Sequence, residues 1–207
     1  MVAVSKPTFI EERALLAQGF TIVAGVDEAG SGCLAGPVYA AAVILPFDSR
    51  IALIRDSKTL SASQRGRVAD DVRKTAAAWA VGMASVEEID DLNIRTAGLL
   101  AMRRAVLGLD LEPQFVIVDA FTIPDLAIPQ KGIIAADRKV KCVAAASVLA
   151  KVERDCCMTE LDGRYPGYGF AVHKGYGTAA HKEALVRLGP CPIHRKSFAP
   201  VRELVER

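Results

Sequence analysis

The stretch Thr21-Ile-Val-Ala-Gly-Val-Asp27-Glu28-Ala-Gly30-Ser31-Gly32-Cys-Leu-Ala-Gly36-Pro37 constrains this chain more than any other. An apolar run with strand character ends in two adjacent carboxylates, and a Gly-rich turn follows at once. Carboxylates in an apolar run are costly to bury unless a partner such as a metal ion balances them. The glycines let a backbone or a phosphate approach closely. Acid and turn together point to a metal-dependent site that handles phosphate.

The chain has 207 residues, 51% of them hydrophobic and 24% charged. That is enough for one domain with a sizeable core and no staples. No apolar stretch approaches the ~20 residues of a membrane span. The N-terminus lacks a signal peptide's apolar segment, so a cytoplasmic protein with no membrane contact is expected. The five cysteines form no CxxC pair, which argues against a zinc site or a disulfide framework and for buried thiols. Residues 1–137 carry 13 Lys/Arg against 17 Asp/Glu, whereas residues 138–207 carry 13 against 7. A basic C-terminal third could lie along a polyanion while the acidic part holds cations.

Periodicity predicts helices over Pro7–Gln18, from a Ser61 or Ser63 N-cap to Thr75, over Ile94–Leu107, from Val140 to about Leu161, and over Thr178–Leu188. Val86–Asn93 reads as a helical turn. Strands are predicted at Thr21–Val26, Val38–Leu45, Ala76–Ser85, Phe115–Val118 and from Lys131 to Ala136. Tyr165–Thr178 reads as a loop, and a basic tail follows Gly189. Early strands come in succession and later ones alternate with helices. The expected fold class is therefore α/β, with a mixed sheet antiparallel on one side and parallel on the other.

Apolar strands end in acids at Asp27 with Glu28, at Asp119 and at Asp137. Ligands of open α/β sheets gather at strand ends. If these strands are neighbours, the carboxylates converge, and they repel unless divalent cations bind among them. Oxygen ligands suit Mg²⁺ or Mn²⁺ and two-metal phosphoryl chemistry. Asp27 and Glu28 should point to opposite faces of a strand, so both reach one site only if the strand ends or bulges there. The same segment matches the dinucleotide fingerprint G-x-G-x-x-A at Gly30–Ala35. That fingerprint needs a helix after the turn, and Gly36-Pro37 interrupts one.

These residues resemble the opening GVDEAGRGxLAGPV of the bacterial ribonuclease HII (type 2 ribonuclease H) family. Further segments agree in the same order: Asp56-Ser-Lys58-Thr-Leu-Ser61, Ile89-Asp-Asp-Leu-Asn93-Ile94, Val118-Asp119, Ala144-Ala-Ala-Ser147-Val-Leu-Ala-Lys151-Val-Glu-Arg154-Asp155, Tyr165-Pro-Gly-Tyr-Gly-Phe170 and His173-Lys174-Gly-Tyr176-Gly-Thr178-Ala-Ala-His181. The resemblance implies a ribonuclease H-like fold in a single domain over residues 1–207, with a helical C-terminal extension from about residue 160. It implies a monomer that cleaves RNA in RNA–DNA hybrids and at single ribonucleotides in duplex DNA, leaving 3′-hydroxyl and 5′-phosphate ends. The family's metal ligands fall on Asp27, Glu28, Asp119 and Asp137, for Mg²⁺ or Mn²⁺. The Gly30-Ser31-Gly32 turn matches the loop whose backbone contacts the 2′-hydroxyl, the group that distinguishes RNA from DNA. Tyr176 matches the tyrosine beside the ribose. Arg55, Lys58, Ser147, Lys151 and Lys174 are candidates for phosphate contacts, which position a duplex without reading sequence.

Two departures stand out. Ser31 replaces the family's usual arginine, which removes a bidentate phosphate grip. Weaker substrate affinity with retained ribonucleotide selectivity is expected. Ala136 replaces the usual glycine before the last aspartate, which bears on the geometry around Asp137. A hybrid-binding module without efficient chemistry and an oxidoreductase using the Gly30–Ala35 turn are the competing readings. His173, His181 and His194 are expected to be hydrogen-bonded residues rather than ligands.

Overall fold

The computed structural model of the protein describes residues 6–206 apart from 52, 53, 55, 56, 58 and 59. At its centre is a five-stranded sheet of order β3-β2-β1-β4-β5. The strands are β1 (Val23–Ala29), β2 (Val38–Ile44), β3 (Ala78–Ala84), β4 (Phe115–Asp119) and β5 (Gln130–Ile133). β1, β2 and β3 pair antiparallel, whereas β4 runs parallel to both β1 and β5. The expected mixed sheet is present, and the connections explain it. A short Gly-rich turn can only return β2 antiparallel to β1, while the long passage from β3 to β4 makes room for a parallel crossover. That passage holds α3 (Val86–Leu92) and α4 (Ile94–Leu107).

Side chains alternate between the two faces of the sheet. Ala41 and Val43 of β2 pack against α2 (Ala62–Thr75) and α5 (Lys141–Arg164). Ala40 and Ala42 pack against α4. In β1, Ala29 belongs to the α5 face and Val26 to the α4 face. Asp27 is therefore on the α5 face and Glu28 on the α4 face. Gly25 is the point of closest approach, since a Cβ there would overlap the backbone of Cys142 and Val143 at the start of α5. Val140, the N-cap of α5, offers no side-chain cap. Instead α1 (Ile10–Leu16) supplies buried Glu12, whose carboxylate accepts from the Cys142 N–H at 3.0 Å.

The chain beyond α5 is more structured than its composition suggests. The expected loop at 165–178 contains a helical turn, α6 (Phe170–His173), and the basic tail folds into α8 (Ala199–Val205) after α7 (Ala179–Leu188). Phe170 and Ala184 close over Met158 of α5 in a small separate core. Burial of one aromatic overrides the Gly-rich local sequence. Cys33 and Cys142 are buried as expected, but Cys156 is exposed, and all five thiols are unpaired. Among the described residues no helix is long and apolar enough to cross a membrane.

Gly25→Ala forces β1 and α5 apart and is expected to lower the unfolding free energy by about 3 kcal/mol. A fall in the urea midpoint at unchanged m-value checks it.

Candidate active site

β4 accompanies β1 only as far as the pair Val26–Val118. One step further the two strands carry Asp27 and Asp119, and beyond them a cleft of about 490 Å³ opens. Asp27, Glu28, Asp119 and Asp137 all line it, as do the Gly30–Gly32 turn and Tyr176. The strand does not bulge at its acids: pairing with β2 continues through Asp27–Ala41, Glu28–Ala40 and Ala29–Tyr39, where β1 ends one residue after Glu28. A bulge is unnecessary because the cleft straddles the end of the sheet and takes one carboxylate from each face. Asp27 enters from the α5 side, where Ser147 hydrogen-bonds it. Glu28 enters from the α4 side, where it also borders a second hollow of about 250 Å³.

Burial pushes the Asp27 carboxyl well above the usual carboxylate range, and the like charges of Glu28 and Asp119 add to the effect. The Glu28 N–H, donating to Asp27 Oδ1 at 2.7 Å, and the Ser147 hydrogen bond oppose it. Asp119 Oδ1 accepts from the Ala136 N–H at 2.7 Å and so fixes the turn that carries Asp137. Asp137 is not at a strand end, since β5 stops at Ile133 and the acid lies in a 3₁₀ turn at Ala136–Arg138. The left-handed residue that makes this turn is Ala135, at φ 55°. Ala136 has no positive φ and is buried, so alanine there leaves the Asp137 geometry intact.

The donor set is all oxygen, which suits a hard divalent ion. A cation would also relieve the crowding around Asp27. Among the described residues no group of three or more acid, histidine or cysteine side chains stands ready to hold a single ion. The residues fit the ion by charge and chemistry rather than as a finished cage.

The Gly-rich turn is lashed from behind by two arginines, both fully buried. Arg154 of α5 donates to the carbonyls of Pro37 (3.0 Å), Ala35 (3.1 Å) and Lys174 (2.8 Å). Arg195 donates to Gly36 O (2.9 Å) and Ser31 O (3.1 Å), and its own N–H reaches Leu34 O. Burial, with the charge of Arg154, lowers the Arg195 guanidinium to about 10. Gly30 is at φ +102°, and a Cβ there would overlap the Arg154 side chain. The turn leads into strand β2, not a helix, which removes the structural basis of a dinucleotide fingerprint. Sequence reading missed Arg195, because one more cation in a basic tail carries no signal of burial. Ser31 Oγ donates to Glu28 Oε1 at 2.9 Å.

Tyr176 is held by a chain of imidazoles. The Cys191 N–H donates to His194 Nδ1 (2.9 Å), the two Nε2 atoms of His194 and His181 lie 3.1 Å apart, and His181 Nδ1 lies 2.8 Å from Tyr176 O. One proton assignment satisfies all three: His194 protonated on Nε2 and His181 on Nδ1. The histidines are hydrogen-bonded, as expected.

A family model described as ribonuclease HII matches residues 24–201. The chain belongs to the ribonuclease HII family. It is 55% identical to the ribonuclease HII of Myxococcus xanthus over 193 residues, covering 93% of this chain and 66% of that protein. It is 58% identical to that of Anaeromyxobacter sp. over 185 residues, covering 89% and 59%. The chain thus spans under two thirds of the length of these relatives. Its fold matches ribonuclease H2 from Pyrococcus horikoshii OT3 with a TM-score of 0.72 at 26% identity, over 90% of this chain and 98% of that one. The ribonuclease H-like fold implied by the resemblance is the fold observed.

The ribonuclease HII phosphate-contact candidates divide. Ser147 is buried, 3.1 Å from Ser57 Oγ, and lines the cleft with Lys151. Lys151 Nζ donates to Asp155 at 2.6 Å and lies 5.3 Å from the Tyr176 ring centre. Lys174 is outside the cleft; its ammonium donates to Thr159 Oγ1 (2.6 Å) and Asp155 O (3.2 Å). Arg55 and Lys58 lie outside the described residues.

Burial, reinforced by His181, depresses His194 to about 4, and burial also lowers His181. The unfolded chain takes up these protons below the ordinary 6.5, whereas the folded imidazoles stay neutral to lower pH. The stability His194 contributes is complete above pH 6.5 and is expected to fall between 6.5 and about 4, by up to roughly 1.4 kcal/mol per pH unit, and His181 adds to the loss in the same direction. Urea melts across this range check the loss, and His194→Gln should flatten the slope.

Proposed function

We propose that the chain is a divalent-metal-dependent endoribonuclease acting on RNA in RNA–DNA hybrids and on single ribonucleotides in duplex DNA. The observation that carries this reading is the convergence of Asp27, Glu28, Asp119 and Asp137 on one cleft walled by a backbone turn, with Asp27 buried among them. Asp27, Glu28, Asp119 and Asp137 would hold Mg²⁺ or Mn²⁺, two ions in the full site. Bound there, the metal supplies an activated water and charge stabilisation at the leaving oxygen. The products expected are a 3′-hydroxyl and a 5′-phosphate.

The chain's own residues orient and select. Ser147 and the Glu28 N–H hold Asp27 on the α5 side. Ser31 holds Glu28 on the α4 side. In the 30–32 turn the Ser31 carbonyl is turned back to Arg195 and the Gly30 carbonyl to the Cys33 N–H, so its cleft side can meet a ribose 2′-hydroxyl. Tyr176, pinned through its carbonyl, offers a flat ring beside that sugar. Lys151 supplies a cation for the phosphate backbone. Membership of the ribonuclease HII family and the meeting of all four carboxylates in one cleft support this reading over a binding module without chemistry.

Incubation with a duplex containing one ribonucleotide, with each metal in turn, should give a single cut; no cut with either metal overturns the proposal. Asp27→Asn relieves the carboxylate repulsion. The variant is expected to melt higher than the native chain in EDTA, to lose the metal-induced rise in Tm, and to show no cleavage. Retained turnover would reject the metal-site roles. Ser31→Arg restores a cation and is expected to lower KM at low salt, with the preference for ribonucleotides unchanged. An unchanged KM counts against the lost-grip account of Ser31.

A further inference from the structure

We infer that Arg95 and Phe121 form a second nucleic-acid subsite, a receptor for one sugar–phosphate unit of the cleaved strand on the α4 side of the carboxylates. The inference rests on the reading of the cleft as a ribonuclease site and extends it across the sheet.

Phe121 is 51% exposed, two residues after Asp119. Its position is imposed by the backbone. Ala120 is left-handed at φ 63°, its N–H donates to Ile133 O at 3.0 Å, and the Phe121 N–H donates to Asp119 O at 2.8 Å. A non-glycine residue in this conformation persists only where the surroundings hold it, and such residues gather at functional sites. The result is an aromatic ring displayed to solvent beside a site carboxylate. Arg95 lies over that ring, 4.3 Å from its centre. The first turn of α4 that carries Arg95 is fixed by Asn93, whose Oδ1 accepts from the Arg95 and Thr96 N–H groups at 3.0 and 3.1 Å. Both residues line the 250 Å³ hollow, with Ile94, Leu99 and Met102 also in its walls.

Two features identify the occupant. Glu28, Ser31 and Asp119 line both this hollow and the cleft, so the hollow continues the catalytic groove. The α5 side repeats the same pair of groups, since Lys151 lies over the Tyr176 ring. A cation-capped aromatic therefore flanks the carboxylates on each side of the sheet. A furanose has an apolar face and a phosphate one bond away. Ring and guanidinium match that unit, whereas a paired base in a duplex cannot leave its stack to reach the ring. A strand that places its reacting phosphate among the acids, with Tyr176 behind it, must leave across Arg95 and Phe121.

The test is binding, followed by fluorescence anisotropy in EDTA, of a labelled duplex with one central ribonucleotide and of duplexes shortened from either end. On the long duplex, Phe121→Ala is expected to raise Kd about tenfold with little salt dependence. Arg95→Gln should reduce the slope of log K against log salt by about one. The Phe121 penalty should vanish when the duplex is shortened from one end only, and a Tyr176→Ala penalty when it is shortened from the other. Both residues are exposed, so the variants should keep the native Tm, and Phe121→Leu controls for loss of apolar bulk alone. A penalty independent of duplex length, or none at any length, overturns the subsite. Altered sedimentation of Phe121→Ala without a binding change would show instead a contact between protein chains. If the native chain binds no duplex, the functional reading itself falls; normal binding without these length effects removes the subsite alone.

Discussion

Asp27 is pressed beneath α5 by a strand that cannot yield. Gly25, two residues earlier on the same face, sits flush against the backbone of Cys142 and Val143. Closer contact between β1 and α5 is impossible, and retreat would open the core. A carboxylate is thereby carried into a buried position next to Glu28 and Asp119, where burial and like charge both disfavour its ionised form. Much of the surrounding structure manages that burden. Ser147 and a backbone N–H take up Asp27, the Ala136 N–H takes up Asp119, and Ser31 takes up Glu28. None of these partners brings a positive charge.

The C-terminal third supports the turn rather than the sheet. Arg154 and Arg195 reach from opposite ends of that third to the carbonyls of residues 31–37. The imidazole chain from Cys191 through His194 and His181 ends on the Tyr176 carbonyl. Burying two guanidinium groups is expensive unless hydrogen bonds satisfy them. Here the acceptors are backbone carbonyls that a tight turn would otherwise leave unpaired. One Arg195 nitrogen is still buried without an acceptor, and its guanidinium lies over the Phe198 ring, 5.2 Å from the centre. Loop and extension therefore stabilise each other.

The legible parts of the sequence were those where local pattern and tertiary need coincide. An apolar run that stops at an acid signals a strand end at a ligand site, which held for Asp119. Asp27 and Glu28 were legible as a pair, but the mechanism of their convergence was not. Of the two expected routes, a strand end or a bulge, there is no bulge; β1 runs one residue past Glu28 and its pairing with β4 stops at Val26, and pairing partners are invisible in a single strand's sequence. Asp137 was legible as an acid after apolar residues, yet its 3₁₀ turn depends on Asp119 from a distant strand. Arg195 and Lys174 fail in opposite directions. One reads as surface and is buried. The other reads as a cleft contact and turns away to Thr159. Burial of a cation is decided by acceptors contributed from elsewhere in the chain.

Ser31 can be understood from the charge balance of the cleft. An arginine at this position would set a cation beside Glu28, on the wall shared by both hollows, and so neutralise part of the field of the acids. Serine donates one hydrogen bond to Glu28 and adds no charge. The carboxylates then keep their full attraction for an incoming metal, and Glu28 keeps a defined orientation on the α4 side. What is lost is a grip on phosphate, and other cations of the groove can provide one, Lys151 on one face of the sheet and Arg95 on the other. Dividing the work this way separates holding the metal from holding the strand, because no side chain in the turn then serves both charges at once.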